Sequence, residues 1–409
     1  MKIAYLTTSA HLGGAELSLL DLMASLRSTV PDWQLSIISP GEGLLMERAN
    51  AMGVRAISLP FPERLARLGD SPAGRGAGKK PGTAALAARL LLAGPDVASY
   101  ALKLRGLLRD VQPDIVHTNG FKVHIIGVRV APARVPVVWH LRDYIGARPA
   151  TRRLMQSHAR KCAAAIANSQ SVADDARAVW GETPRTHVVL NRIDLEWFSP
   201  AGPTLDLDAL AGLPRASDGV VRVGLPATFA RWKGHEMFLD AFERIPASVN
   251  LRGYIIGGPL YETEGSQHTS EELRALVQRH GLDQRVGLTG YVDDSAAAMR
   301  ALDIVVHAST HPEPFGRTIV EAMGCGRSVV TSAIGGAREL IEDGVDALSF
   351  EPGSAADLAR VIDRLARDPT LRDQLSHRAR ATAIRRFDRR EIAAEIIPIY
   401  QSVKPLQKP

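Results

Sequence analysis

The sequence predicts an α/β chain of two domains, each an open parallel sheet with helices on both faces. Three observations carry that expectation. The length, 409 residues, exceeds one ordinary domain and suits two. Short apolar runs alternate with amphipathic helical stretches, the pattern of consecutive βαβ units. The alternation lapses once, at the Pro/Gly/Asp-rich stretch 201–219, and then resumes.

In the first half, KIAYLTT (2–8), QLSIIS (34–39), DIVHTN (114–119), VPVVWHLRD (135–143), AAIANS (164–169) and HVVLN (187–191) read as strands. GGAELSLLDLMASL (13–26) reads as a helix, with Leu17, Leu20 and Met23 or Ala24 recurring on one face. In the second half the strands are VVRVGLPAT (220–228), NLRGYIIGG (250–258), RVGLTG (285–290), DIVVHAS (303–309) and RSVVTS (327–332). Helices are expected at 233–245 and near 270–280, 316–324, 336–342 and 354–367. The expected division is a first domain over 1–200, a linker at 201–219, a second domain over 220–383 and a closing amphipathic helix within 384–409. In open parallel sheets ligands sit beyond the carboxyl ends of the strands. The facing strand ends of two such domains would define one shared cleft.

The stretch 61–100 stands outside this pattern as an insertion. SPAGRGAGKKPG (71–82) predicts a mobile Gly/Pro-rich basic loop, and the helical residues after it predict a break at Gly94-Pro95. Much of the net charge of +6 is local: residues 61–110 hold nine Lys/Arg against four Asp/Glu. Such a patch suits a solvated face or an anionic membrane surface. No nucleic acid is expected as a partner. Two cysteines, Cys162 and Cys325, form no metal-binding or disulfide pattern, which suits a reducing cytoplasm. MKIAYLTTSA has no long apolar core of a signal peptide, and no run of some twenty apolar residues spans a membrane. The expected location is cytoplasmic, with peripheral contact at the inner face of the membrane.

The densest chemical signal is EPFGRTIVE at 313–321. Pro314 and Gly316 place Glu313 in a tight loop, and a short helix follows with Glu321 in its second turn. A helix start offers unpaired N–H groups and a positive dipole end, which suits a phosphate. A carboxylate can grip two adjacent sugar hydroxyls. Two carboxylates flanking a phosphate site therefore suit a ribose–diphosphate–hexose ligand. On spacing alone, Glu313 as a loop charge and Glu321 as a helix-face charge is the readier reading. Asp174–Asp175 and Asp293–Asp294 are adjacent acids, better read as helix-terminal or surface pairs than as metal ligands.

EPFGRTIVE, with AMGCGRSVVTSAIGGARELIEDGVDALSFEPG after it, resembles the C-terminal signature of the retaining GT-B glycosyltransferases of family four. GGAE (13–16), DIVHTN, VVWHLRD (137–143), ANSQSVADD (167–175), VVLNRIDLEWFSP (188–200) and KGHEMFLDAF (233–242) resemble further family segments in the same order. The resemblance implies the GT-B fold, two Rossmann-like domains facing each other across a cleft, with the last helix crossing back to the first domain. It implies a nucleotide-diphosphate sugar as co-substrate, a UDP-sugar favoured, with no metal and no cofactor.

The resemblance also implies roles for matched residues. Glu313 would bind donor-sugar hydroxyls and Glu321 the ribose. Phe315, Gly316, Arg317 and Thr318 would approach the diphosphate or hexose, and Tyr291 and Val292 the base. Lys233 would stabilise the leaving diphosphate. The family's usual Arg five residues earlier is Thr228 here, and Arg231 is the candidate replacement. The loop of Gly13 and Gly14 would lie on the diphosphate, where a missing Cβ permits close approach. Gly335, Gly336 and Glu339 repeat that pattern with a structural role. His140 would meet a donor hydroxyl near the anomeric carbon. His11, His117, Asn119, Arg142 and Asp143 would serve the acceptor side, Arg142 and Asp143 also orienting His140. The acceptor would be a glycan, a lipid-linked sugar or a small molecule. A binding-only protein and an epimerase on the same fold are the competing readings.

Overall fold

The computed structural model describes residues 1–66, 83–259 and 266–404, the side chains of 64, 66 and 83–93 excepted. The loop expected at 71–82 lies outside them. The described chain divides into two compact units. One takes in residues up to Asn191 together with those from Arg389 onward, and the other is Arg192–Asp388.

The first unit is built on seven strands: β1 (Lys2–Thr7), β2 (Gln34–Ser39), β3 (Arg55–Ser58), β4 (Ile115–Asn119), β5 (Val137–Leu141), β6 (Ala164–Ala167) and β7 (Thr186–Val188). They pair in the order β3-β2-β1-β4-β5-β6-β7, all parallel. The strands read as continuous apolar runs because both faces are covered. Alternate residues supply opposite cores. Ile3, Tyr5, Ile115 and Val138 pack with Leu19, Leu22 and Met23 of the helix Gly14–Thr29 and with Ile392, Ile396 and Tyr400 of the last helix, Ile392–Val403. Ala4, Leu6, Val116 and Trp139 pack on the other face with Leu104, Val123 and Ile126.

The break expected at Gly94-Pro95 does not occur. One helix runs from Thr83 to Val111 with Pro95 inside it. Pro95 is exposed, so water can take the carbonyl that its ring leaves unbonded.

The second unit has six strands: β8 (Val221–Pro226), β9 (Leu251–Ile256), β10 (Val286–Gly290), β11 (Ile304–His307), β12 (Ser328–Thr331) and β13 (Leu348–Ser349). Their order is β10-β9-β8-β11-β12-β13, again all parallel. Val223, Leu225, Ile255, Ile304 and Val306 share a core with Phe238 and Phe242 of the helix His235–Arg244. Two local expectations change. The stretch 336–342 forms a 3-10 turn, Gly336–Leu340. The segment 201–219 carries a helical turn, Leu207–Leu210, whose buried Asp208 accepts hydrogen bonds of 2.7 Å each from Arg252 and Tyr254 on β9.

Strand order reverses once in each sheet, between β1 and β4 and between β8 and β11. Loops leaving the carboxyl ends at a reversal turn to opposite faces and leave a crevice between them. At the second reversal the backbone passes very close to itself. Gly234 has φ +81°, and a Cβ there would lie 2.0 Å from the carbonyl oxygen of Ala308. Gly234→Ala is therefore expected to destabilise the protein by about 2–4 kcal/mol, through left-handed strain and a backbone clash. Urea denaturation of the variant checks this; an unchanged midpoint would contradict the close approach.

Candidate active site

Two loops meet at the reversal in the second unit. The loop after β8 ends in a 3-10 turn, Arg231–Lys233. The loop after β11 carries Ser309 and Glu313. Lys233 Nζ lies 2.7 Å from Glu313 Oε2. The same oxygen accepts from Ser309 Oγ at 2.8 Å and lies 3.1 Å from His307 Nε2. A carboxylate only accepts, so His307 carries a proton on Nε2. The Glu313 backbone is tied as well: its N–H donates to Ile334 O at 3.2 Å, and its carbonyl accepts from Gly336 N–H at 2.7 Å. The residue is 7% exposed. Burial would raise its carboxyl, but the Lys233 ammonium and the His307 hydrogen bond outweigh burial and hold it well below the usual range. The Lys233 ammonium also sits 4.1 Å from the Trp232 ring centroid.

Gly316, with φ +102°, opens the eight-residue helix Arg317–Gly324. Phe315 is buried edge-on to Phe387 with ring centroids 6.5 Å apart, and Thr318 is half-buried. Glu321 is buried and accepts from Arg317 Nε at 2.6 Å. Tyr291 is 65% exposed after β10, beside Gly258 and half-buried Val292. Arg231, the candidate replacement for the arginine missing at Thr228, pairs with Glu272. Its Nη2 reaches both Glu272 carboxylate oxygens at 3.0–3.1 Å, and its Nη1 lies 3.2 Å from His268 Nδ1. That partner is 41 residues away in sequence, so spacing around Lys233 gave no sign of it.

In the first unit His11 is exposed after β1. Gly13 N–H donates to the Glu16 carboxylate at 3.2 Å. A Cβ on Gly14 would meet open space, so no neighbouring atom of the described chain demands a glycine there. Burial raises the Glu16 carboxyl, while backbone hydrogen bonds and the Arg142 charge pull it back.

His140 ends β5, 3% exposed, with Nδ1 3.1 Å from His117 Nε2 and 3.3 Å from Arg142 Nη2. Its Nε2 is buried with no hydrogen-bond partner among the described residues. Such an atom marks a place where a ligand or water completes the site. Burial, then the Arg142 charge, holds both His117 and His140 well below the usual imidazole range, hence neutral. Arg142 Nε donates to Asn119 Oδ1 at 2.9 Å, and its Nη1 donates to Asn191 Oδ1. The guanidinium thus joins the ends of β4 and β5 to the chain after β7.

His117 and Asn119, expected on the acceptor side, are 0% and 2% exposed. His117 serves as a support behind His140, because β4 lies inside the sheet and the last helix covers that face. Asp143 accepts from Arg148 at 2.6 Å. Of the acid pairs, Asp294 caps the helix Ser295–Arg300, and Asp174 pairs with Arg177 on its own helix. Asp175 goes further and accepts from the N–H groups of Ile145 and Gly146, holding the loop after Arg142. Asn191, Glu16, His307 and Ser309 enter these networks without having been singled out in the sequence. Only Glu16 left a local trace, three residues beyond Gly13 at a helix start. Among the described residues one His/carboxylate group has metal-ligand spacing, Asp240, Glu243 and His280. There His280 Nδ1 lies 2.7 Å from a Glu243 oxygen.

Comparison with known proteins agrees with this architecture. Residues 221–382 match the family described as glycosyl transferases group 1, and residues 12–197 match glycosyltransferase family 4. The chain is 32% identical over 248 residues to a D-inositol 3-phosphate glycosyltransferase of Xylanimonas cellulosilytica, covering 58% of this chain and 56% of that one. It is 31% identical over 206 residues to a phosphatidyl-myo-inositol mannosyltransferase of Mycobacterium leprae, covering 49% and 52%. The chain thus spans about half the length of the curated relatives it matches. Among solved structures, Anabaena HepE in complex with UDP and glucose superposes with a TM-score of 0.78 at 26% identity, over 98% of this chain and 100% of that one.

The Glu313 environment makes a pH-dependent prediction. Its folded-state carboxyl is depressed below the ordinary value of 4.5. Its contribution to stability is therefore fully present above that value and is lost as pH falls toward the folded one. Glu313→Gln is expected to cost about 2–4 kcal/mol at pH 7, since it leaves Lys233 without its counter-charge. That difference should shrink between pH 5 and pH 3 in paired urea titrations; a gap independent of pH would contradict the assignment.

Proposed function

Because the chain belongs to the group 1, family 4 glycosyltransferases and has their GT-B fold, we propose that it moves a sugar from a nucleotide-diphosphate donor to an acceptor hydroxyl. The observation that carries the reading is the Lys233–Glu313 pair at the strand-order reversal of the second unit, next to the start of the helix Arg317–Gly324. Breaking the bond between the sugar's anomeric carbon and phosphate builds negative charge on the departing diphosphate. Lys233 and the N–H groups from Phe315 to Thr318 supply fixed positive potential for it, without calling on a metal. Glu313, kept ionised, accepts hydrogen bonds from sugar hydroxyls. Glu321 takes the ribose, and exposed Tyr291 offers a face to the base. In the first unit, His140 turns its unpartnered Nε2 toward a substrate oxygen.

The sugar is a hexose and its anomeric configuration is retained. The acceptor oxygen attacks on the face the diphosphate leaves, and a diphosphate oxygen takes the acceptor's proton. A uridine donor is favoured, supported by the UDP and glucose bound to Anabaena HepE. The phosphatidyl-myo-inositol mannosyltransferase among the relatives supports an acceptor in glycolipid or cell-envelope glycan synthesis. The protein works in the cytoplasm at the inner membrane face. Lys103, Arg105 and Arg109, with Leu102 at 70% exposure on the same helix, support contact with anionic lipid. Among the described residues no helix is long and apolar enough to cross a membrane.

Thermal-shift measurements with UDP, GDP, ADP and dTDP sugars test the donor. A UDP-sugar at 100 times its dissociation constant should stabilise the fold by about 2.7 kcal/mol. Lys233→Ala should lower kcat by ~10²–10³-fold with the fold intact. If no nucleotide sugar stabilises the protein and none is consumed with any acceptor, the transferase reading fails.

A further inference from the structure

A chain of four buried side chains ends at His140. Tyr5 OH lies 3.3 Å from Tyr400 OH, Tyr400 OH lies 2.8 Å from His117 Nδ1, and His117 Nε2 lies 3.1 Å from His140 Nδ1. Every member is at most 3% exposed, so water cannot repair a mismatched contact. Tyrosine hydroxyls and neutral imidazoles can each run a hydrogen bond in either direction. Taken alone, the chain therefore has two equivalent polarities. Arg142 breaks the tie. Its Nη2 lies 3.3 Å from His140 Nδ1, and a guanidinium has donors only.

We propose that Arg142 is a positioning residue that fixes the polarity of this chain and thereby makes His140 Nε2 an N–H donor. Since Nδ1 of His140 must accept, the proton of the neutral ring sits on Nε2. His117 then donates from Nε2 and accepts at Nδ1, Tyr400 donates to it, and Tyr5 donates to Tyr400. Arg142 is itself held by Asn119 and Asn191, both through side-chain oxygens that accept. The unpartnered His140 Nε2 thus presents a proton and no lone pair. Its ligand must bring an accepting oxygen, from a sugar hydroxyl or a phosphate. The same nitrogen cannot take the proton of an acceptor hydroxyl, so His140 is no general base. This consequence rests on the transferase reading; the polarity of the chain does not.

The test uses full-length protein labelled with ¹⁵N-histidine, with long-range ¹H–¹⁵N spectra recorded at pH 7 and assigned through His140→Asn and His117→Asn. Both rings are expected as neutral Nε2–H tautomers. An Nδ1–H or doubly protonated ring at either position overturns the proposal, and this readout on the unmodified protein needs no other variant to fold. Arg142→Met removes the obligate donor and should split His140 between two tautomers, with kcat/KM falling about tenfold. Arg142→Lys, which keeps a donor, should restore the single tautomer. Tyr400→Phe acts at the adaptable end and should leave His140 in its Nε2–H form. A single Nε2–H tautomer that persists in Arg142→Met, or one lost in Tyr400→Phe, removes Arg142 from the role. If the tautomers are as assigned but no sugar nucleotide binds, the polarity stands and the transferase reading falls instead.

Discussion

The reversal of strand order in each parallel sheet is the constraint on which the rest depends. Parallel strands joined by right-handed crossovers wind in one direction until the order turns back. At that point neighbouring loops diverge, and backbone that would otherwise be covered stays open. In the second unit the loops after β8 and β11 start from paired strands, so Lys233 and Glu313 come within reach of each other across 80 residues of sequence. In the first the loop after β1 comes beside the end of β4. There Gly120, at φ +134°, passes so close to Thr8 that a Cβ would lie 2.8 Å from its side chain.

The two units solve the problem of buried polarity differently. The second concentrates opposite charges, and Glu313 stays ionised because Lys233, His307 and Ser309 all converge on one of its oxygens. Burial of that carboxylate would be costly without them. The first unit buries neutral imidazoles around a single guanidinium; burial first, and then the Arg142 charge, keeps the rings unprotonated. Its own demand for acceptors is met by Asn119, Asn191 and His140.

The last helix links fold to site in an unplanned-looking way. Its apolar residues Ile392 and Ile396 serve the same core as Ile3 and Val138. Tyr400 continues that stripe, yet its hydroxyl reaches a site histidine. Period-two alternation puts His117 and His140 on the sheet face with Ile115 and Val138, and that is the face this helix covers.

What the sequence by itself determined was local. Apolar runs bounded by turns marked every strand that frames the reversals, and EPFGRTIVE marked a loop carrying Glu313 followed by a short helix carrying Glu321. Those signals survive because they depend on residues a few positions apart. Only tertiary structure decided the partners. Tyr400 meets His117 from 283 residues away, Arg231 pairs with Glu272 while Lys233 pairs with Glu313, and His117, at a strand end, is fully buried between Tyr400 and His140. The helix across Pro95 belongs with these, since whether a proline interrupts a helix depends on what the freed carbonyl faces. Hydrogen-bond direction and charge pairing are set by neighbours in space, and spacing along the chain holds no record of them.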